Sequence, residues 1–306
     1  MWGREDDERR RSADATLLFL TTSSFFSSLT ARPCSLTIQV AATKGLDVIL
    51  VDPSAAALDR GAVAVQRSLA RAVTRSHLSP AEADAAAARI RRETDIGALA
   101  DADFVVEATP EDEALKRSIF ARLDAVVAAP DAVLASNTSS ISLTRLGAAT
   151  ARPGSVIGLH FMNPVPVMPL VELVRGIETS DATAARAAAL AAALGKTVTR
   201  SADRPGFIVN RILMPQINEA FYCLMEGVGS AEDIDRGMVL GCNVPMGPLA
   251  LADFIGLDTV LAILRVLADG TGDPKYRPCP LLVQYVDAGR LGKKTWKGVF
   301  VYARQV

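Results

Sequence analysis

The strongest constraint on folding is a rhythm that runs from Ile38 to about Arg200. Short apolar runs at 46–52, 104–108, 132–136, 155–161 and 170–174 recur, and several are separated by stretches of helical character. Spacers of about 15–20 residues are what a right-handed crossover needs to bring each strand back parallel to the last. The punctuation agrees. Val40-Ala41-Ala42 reads as the close of a helix stopped by Gly45, since glycine readily takes the left-handed conformation that ends a helix. Pro53-Ser54 opens an Ala-rich helix, and Ser79-Pro80 opens another with a capping side chain and a proline in the first turn. Beyond Arg200 the strands stop. Pro205-Gly206 marks a break, and helices are predicted over 207–226, 231–240, 248–267 and 280–288, with Pro215 kinking the first. The sequence therefore predicts an α/β domain with a parallel sheet over 31–203 and an all-helical domain over 204–306.

The first forty residues break the rhythm. Glu5-Asp6-Asp7-Glu8 runs into Arg9-Arg10-Arg11, and a Ser- and Thr-rich, moderately apolar stretch follows. A targeting segment is one reading, but the early acidic residues and the interruption at Thr21-Thr22-Ser23-Ser24 oppose it. The other reading is an irregular extension over 1–30. Charge narrows the partners: 33 Lys and Arg against 34 Asp and Glu leave a formal charge of −1, and phosphate-backbone binding relies on an excess of positive charge. Cys34, Cys223, Cys242 and Cys279 lie far apart with no C-x-x-C pair, which argues against structural zinc and a disulfide framework. No uncharged apolar run reaches the ~18 residues of a membrane span. We expect a soluble intracellular protein, in cytoplasm or an organelle matrix, without metal, nucleic-acid or membrane partners.

Open parallel sheets bind ligands beyond the carboxyl ends of their strands. The polar residues predicted there are Asp52, Glu107, Glu111, Asn137 to Ser140 and His160. Asp52 directly follows a strand, where a carboxylate can accept hydrogen bonds from an adenine-side ribose and disfavours a 2′-phosphate; it can equally cap the next helix. His160 is one of two histidines and sits in an apolar strand. A lone buried histidine is more often structural, but Glu172 lies twelve residues on, in a second apolar strand after the reversal Asn163-Pro164-Val165-Pro166. A buried glutamate must find a partner, and the imidazole would become an oriented general base. Ser136-Asn137-Thr138-Ser139-Ser140 reads as a capped turn rich in hydrogen-bonding groups. Asn210 opens the helical domain, as a capping amide or a site residue.

Four strings bring a known family into view: Ser136-Asn137-Thr138-Ser139-Ser140, Gly158-Leu159-His160-Phe161-Met162-Asn163-Pro164-Val165-Pro166, Pro205-Gly206-Phe207-Ile208-Val209-Asn210-Arg211 and Pro245-Met246-Gly247-Pro248. With these, 38–302 resembles the NAD-dependent L-3-hydroxyacyl-CoA dehydrogenases, especially the bacterial-type 3-hydroxybutyryl-CoA dehydrogenases. The resemblance implies a Rossmann-type NAD-binding domain followed by a helical domain that binds substrate and forms a homodimer. It implies interconversion of (S)-3-hydroxyacyl-CoA, on short chains, with 3-oxoacyl-CoA in fatty-acid metabolism. His160 is then the general base and Glu172 its partner, with Ser139 and Asn210 bonding the substrate oxygens. Asp52, Glu111, Lys116, Ser139, Asn163 and Lys294 stand where the family contacts NAD, and Ser68 and Arg75 where it contacts coenzyme A.

One motif departs. Reading back from Ile38, the glycine positions of the family's G-x-G-x-x-G fingerprint hold Leu29, Ala31 and Cys34, with Ser24-Phe25-Phe26-Ser27-Ser28 in place of the preceding strand. The glycines serve a tight turn, close approach of the pyrophosphate and close helix packing. Losing two or three phosphate hydrogen bonds at about 1.5–3 kcal/mol each would weaken affinity ~100-fold or more. Trp296 is a second departure, next to Lys294 in Lys293-Lys294-Thr295-Trp296. A non-catalytic, thioester-binding relative of the lambda-crystallin kind is therefore the alternative reading.

Overall fold

The structure, a computed structural model, describes residues 16–20 and 32–303. It divides into two compact units between Asp203 and Arg204. The first unit carries one eight-stranded sheet: β1 (Thr16–Leu20), β2 (Asp47–Val51), β3 (Ile90–Glu93), β4 (Phe104–Glu107), β5 (Val133–Ser136), β6 (Val156–Phe161), β7 (Leu170–Arg175) and β8 (Thr197–Ala202). Their order is β3-β2-β1-β4-β5-β6-β7-β8, and only the β6–β7 pairing is antiparallel. Strand order reverses between β1 and β4. That is the switch point of a doubly wound sheet, and sheets of this kind bind ligands there, beyond the strands' carboxyl ends.

Helices α1 (Arg32–Thr43), α2 (Ala55–Thr74), α3 (Pro80–Ala88), α4 (Glu113–Val126), α5 (Leu143–Gly147) and α6 (Asp181–Ala193) connect the strands. Their starts follow the expected chemistry: Ser54 caps α2, and Ser79 with Glu82 forms a capping box on α3 behind Pro80. Alternate strand residues divide between the faces. Phe104, Val106, Val133, Ala135, Ile157, Leu159, Val171 and Leu173 share one core with Ile38 and Ala41 of α1, Leu58 and Leu69 of α2 and Ala187 of α6. His160 and Glu172, one residue out of phase, belong to the opposite face. There Gly158 lets α5 approach: a Cβ on it would lie 2.8 Å from Val174 Cβ and 3.2 Å from Leu143 Cδ2.

Three expectations need correction. Residues 1–30 are not wholly an irregular extension, because Thr16–Leu20 forms β1 and pairs with β2 on one side and β4 on the other. Its run Leu17-Leu18-Phe19-Leu20 is the one N-terminal segment apolar enough for that place. The replacement strand at 24–28, Leu29 and Ala31 lie outside the described residues, and Cys34 lies in the first turn of α1. Second, β3 and β8 went unread. Both are edge strands with charged or polar exposed residues, so they carry little apolar signal.

Third, in the second unit, the helix expected over 248–267 is two helices. The second unit contains α7 (Val209–Met225), α8 (Ala231–Cys242), α9 (Pro248–Ile255), α10 (Leu257–Thr271) and α11 (Pro280–Asp287). Gly256 separates α9 from α10 with φ +104, a conformation that no helix continues through. Pro215 lies inside α7, and Met214, Ile217, Phe221, Leu257, Leu261 and Leu264 share the unit's core. Among the described residues, no helix is long and apolar enough to cross a membrane.

Candidate active site

The antiparallel register of β6 and β7 sets His160 directly opposite Glu172. Residues paired this way share a face, and His160 Nδ1 lies 2.7 Å from Glu172 Oε2. Glu172 is fully buried and His160 is 8% exposed. An ionised carboxylate only accepts hydrogen bonds, so Nδ1 carries the proton and Nε2 carries the basic lone pair. The reversal joining the two strands is held by its own backbone. Val167 and Met168 N–H both donate to Pro164 O at 3.0 Å, and Lys196 Nζ donates to Met168 O at 2.9 Å.

The Ser136–Ser140 segment runs on from the last residue of β5 and comes alongside β6, because Phe161 N–H donates to Asn137 Oδ1 at 2.9 Å. Glu111 organises the rest. Its Oε1 accepts from Thr138 Oγ1 (2.6 Å), Ser139 N–H (3.0 Å), Ser140 N–H (2.9 Å) and Ser140 Oγ (2.7 Å). Burial pushes the Glu111 carboxyl up, but the charge of Lys116 and these hydrogen bonds outweigh it and hold the group below its ordinary value. Lys116 is itself buried, with Nζ 2.7 Å from Glu107 Oε1, 2.9 Å from Thr109 O and 3.7 Å from Glu111 Oε2. Past the loop, Asp203 accepts from Ser142 Oγ and from Leu143 and Thr144 N–H, pinning the start of α5.

Asp52, at the carboxyl end of β2, is 1% exposed and accepts from Ser54 N–H at 2.9 Å; Ser54, not Asp52, caps α2. Ser68 is buried on the inner face of α2, while Arg75 is exposed at that helix's C-cap. Asn163 is exposed in the reversal after β6. In the second unit Asn210 is half-buried in the first turn of α7, whose N-cap is Ile208. Lys294 is ion-paired with Asp258, 2.6 Å from Oδ2. The first unit thus joins His160 to Glu172, and Ser139 to Glu111 and Lys116. The anchoring roles of Glu107, Asp203 and Asp258 went unread; Glu107 alone carried a signal, as a carboxylate ending an apolar strand.

Residues 35–204 match the 3-hydroxyacyl-CoA dehydrogenase NAD binding domain, and residues 206–302 match the C-terminal domain of the same family. The chain is 54% identical over 263 residues to a 3-hydroxybutyryl-CoA dehydrogenase of Bradyrhizobium diazoefficiens, a match spanning 86% of this chain and 89% of that protein. It is 45% identical over 265 residues to a 3-hydroxybutyryl-CoA dehydrogenase of Mycobacterium tuberculosis, spanning 86% of this chain and 93% of that protein. Among solved structures, (S)-3-hydroxybutyryl-CoA dehydrogenase from Ralstonia eutropha is similar with a TM-score of 0.88 and 46% identity, over 95% of this chain and 100% of that one.

Proposed function

The chain belongs to the 3-hydroxyacyl-CoA dehydrogenase family, and from that we propose that it interconverts (S)-3-hydroxybutyryl-CoA and its 3-oxo thioester with NAD. The observation that carries the reading is the buried carboxylate held 2.7 Å from an imidazole nitrogen. When the 3-hydroxyl is oxidised, its proton passes to His160 Nε2. The resulting imidazolium is stabilised by Glu172, and in the reducing direction it returns the proton to the alkoxide. Bound NAD supplies the hydride acceptor, and in reduced form the donor. The first unit suits that cofactor: its strand order reverses between β1 and β4, and the Asp52 carboxylate stands at the end of β2, where ribose hydroxyls are recognised. Asp52, Glu111, Lys116, Ser139, Asn163 and Lys294 would hold NAD. Ser139 and Asn210 would bond the substrate oxygens, and Arg75 with Ser68 would meet the coenzyme A moiety.

Purified protein given acetoacetyl-CoA and NADH should oxidise NADH, seen as loss of its near-ultraviolet absorbance. No turnover at millimolar NADH would overturn the reading for this chain. Calorimetry showing thioester binding without NADH binding would favour the non-catalytic alternative.

We further infer a homodimer formed through the helical unit. Its surface exposes Ile212 (68%), Val228 (71%), Leu240 (77%) and Phe254 (50%), large apolar residues of the kind that subunit interfaces cover. Sedimentation equilibrium should give twice the 32.3 kDa chain mass; a monomer at micromolar concentration would refute the dimer.

A further inference from the structure

Lys116 spends its charge inside the protein. It is 1% exposed, and Glu107, Thr109 O and Glu111 surround its ammonium. Glu107 is fully buried too, and both its oxygens are engaged. Oε1 accepts from Thr109 N–H, Thr109 Oγ1 and Lys116, and Oε2 accepts from Ser136 Oγ at 2.6 Å. Ser136 Oγ in turn accepts from Thr138 N–H at 3.2 Å, and Thr138 Oγ1 donates to Glu111 at 2.6 Å. The chain of contacts closes on itself: Glu107, Lys116, Glu111, Thr138, Ser136 and back to Glu107. It spans the ends of two adjacent strands, where Glu107 and Ser136 are register partners.

We propose that Glu107 is a positioning residue, the buried anchor of a closed polar circuit that fixes the Ser139 loop for the dehydrogenase reaction. The proposal rests on the dehydrogenase reading above. A buried ion pair contributes little net stability compared with an apolar pair of the same shape, so stability alone is a poor reason for burying Lys116 and Glu107 here. Their arrangement does something an apolar cluster could not. Two carboxylates share one ammonium, and Glu107 takes the shorter contact. Glu111 is left 3.7 Å away, with Oε1 turned to the amides of Ser139 and Ser140. Neutralising Glu107 would leave Lys116 with Glu111 as its sole counter-charge. The two would close on each other, and Glu111 would leave the loop amides.

The test is Glu107→Gln, which keeps the side chain's shape and removes its charge. In the cofactor-free protein, hydrogen exchange at the Ser139 and Ser140 amides should quicken about ten-fold or more, while Val105 and Leu134 in the strands stay protected. The kcat for acetoacetyl-CoA should fall about ten-fold or more, and KM for NADH should rise with it, because Glu111 and Ser139 would also hold NAD. If Glu107→Gln does not fold, Ser136→Ala breaks the circuit at a second point, removing the bond to Glu107 Oε2 and the acceptor of Thr138 N–H that ties the loop to it, and should likewise quicken loop exchange and lower kcat. A folded variant with unchanged loop exchange, or with unchanged kcat, overturns the proposal. So does a loss confined to KM for NADH, because the circuit would then serve cofactor binding and not the positioning of the loop for turnover. Exchange needs no turnover, so a parent protein with a protected loop and no activity would refute the dehydrogenase reading and leave the circuit standing.

Discussion

His160→Gln should lower kcat for acetoacetyl-CoA reduction by about 10²–10⁴-fold, the range a positioned general acid–base supplies. Glutamine is close to histidine in reach and can still meet Glu172, so the sheet should fold and bind NADH as before. What it lacks is a group that exchanges a proton near neutral pH. Glu172→Gln makes the complementary case. A carboxylate forces the proton onto Nδ1 of His160, whereas an amide can donate to Nδ1 and put the proton on Nε2. The ring is then present in the wrong tautomer, and an imidazolium would have no counter-charge 2.7 Å away. A loss of about 10²-fold or more is expected here too. Because Glu172 is fully buried, this variant removes a buried charge as well, and its thermal midpoint should not fall far. Steady-state kinetics beside NADH binding separates the outcomes: turnover within about ten-fold of the parent in His160→Gln would remove the histidine from the chemistry.

The pair was legible in the sequence for a physical reason. A histidine and a glutamate sat in two apolar strands joined by a proline-rich reversal, and antiparallel pairing with a two-residue side-chain period does the rest. The Ser136–Ser140 loop was legible as a turn, and Glu107 as a polar strand end. How Glu107 reaches Ser139 was not, because that path runs through residues far apart in sequence, Lys116 and Thr138 among them, which only the fold assembles. Asp203 is similar: an acid beside a domain boundary gives no hint that it pins a helix 60 residues earlier. The edge strands β3 and β8 were missed because an edge tolerates charge such as Arg91, Arg92 and Arg200, and periodicity then disappears.

Leu18→Pro should unfold the first unit or destabilise it by more than about 3 kcal/mol. The family match begins only at residue 35, beyond β1, yet the middle of the sheet needs a strand there. Thr16–Leu20 fills that place, with Leu18 opposite Ile49 on one side and Val105 on the other. A proline at 18 removes a donor in a strand paired on both edges, and each buried group left unpaired costs about 1–3 kcal/mol. Deleting 1–20 goes further, opening the inner edges of β2 and β4 and splitting one sheet into two parts. Total stabilities are only about 5–15 kcal/mol, so that deletion should abolish cooperative unfolding of the first unit and yield an aggregating protein. The crevice that recognises the dinucleotide lies beside β1, so loss of the strand should take NADH binding with it. Thermal unfolding followed by circular dichroism reads both variants. If Leu18→Pro melts with the parent protein, Thr16–Leu20 is not the central strand, and the reading of 1–30 as an irregular extension is restored.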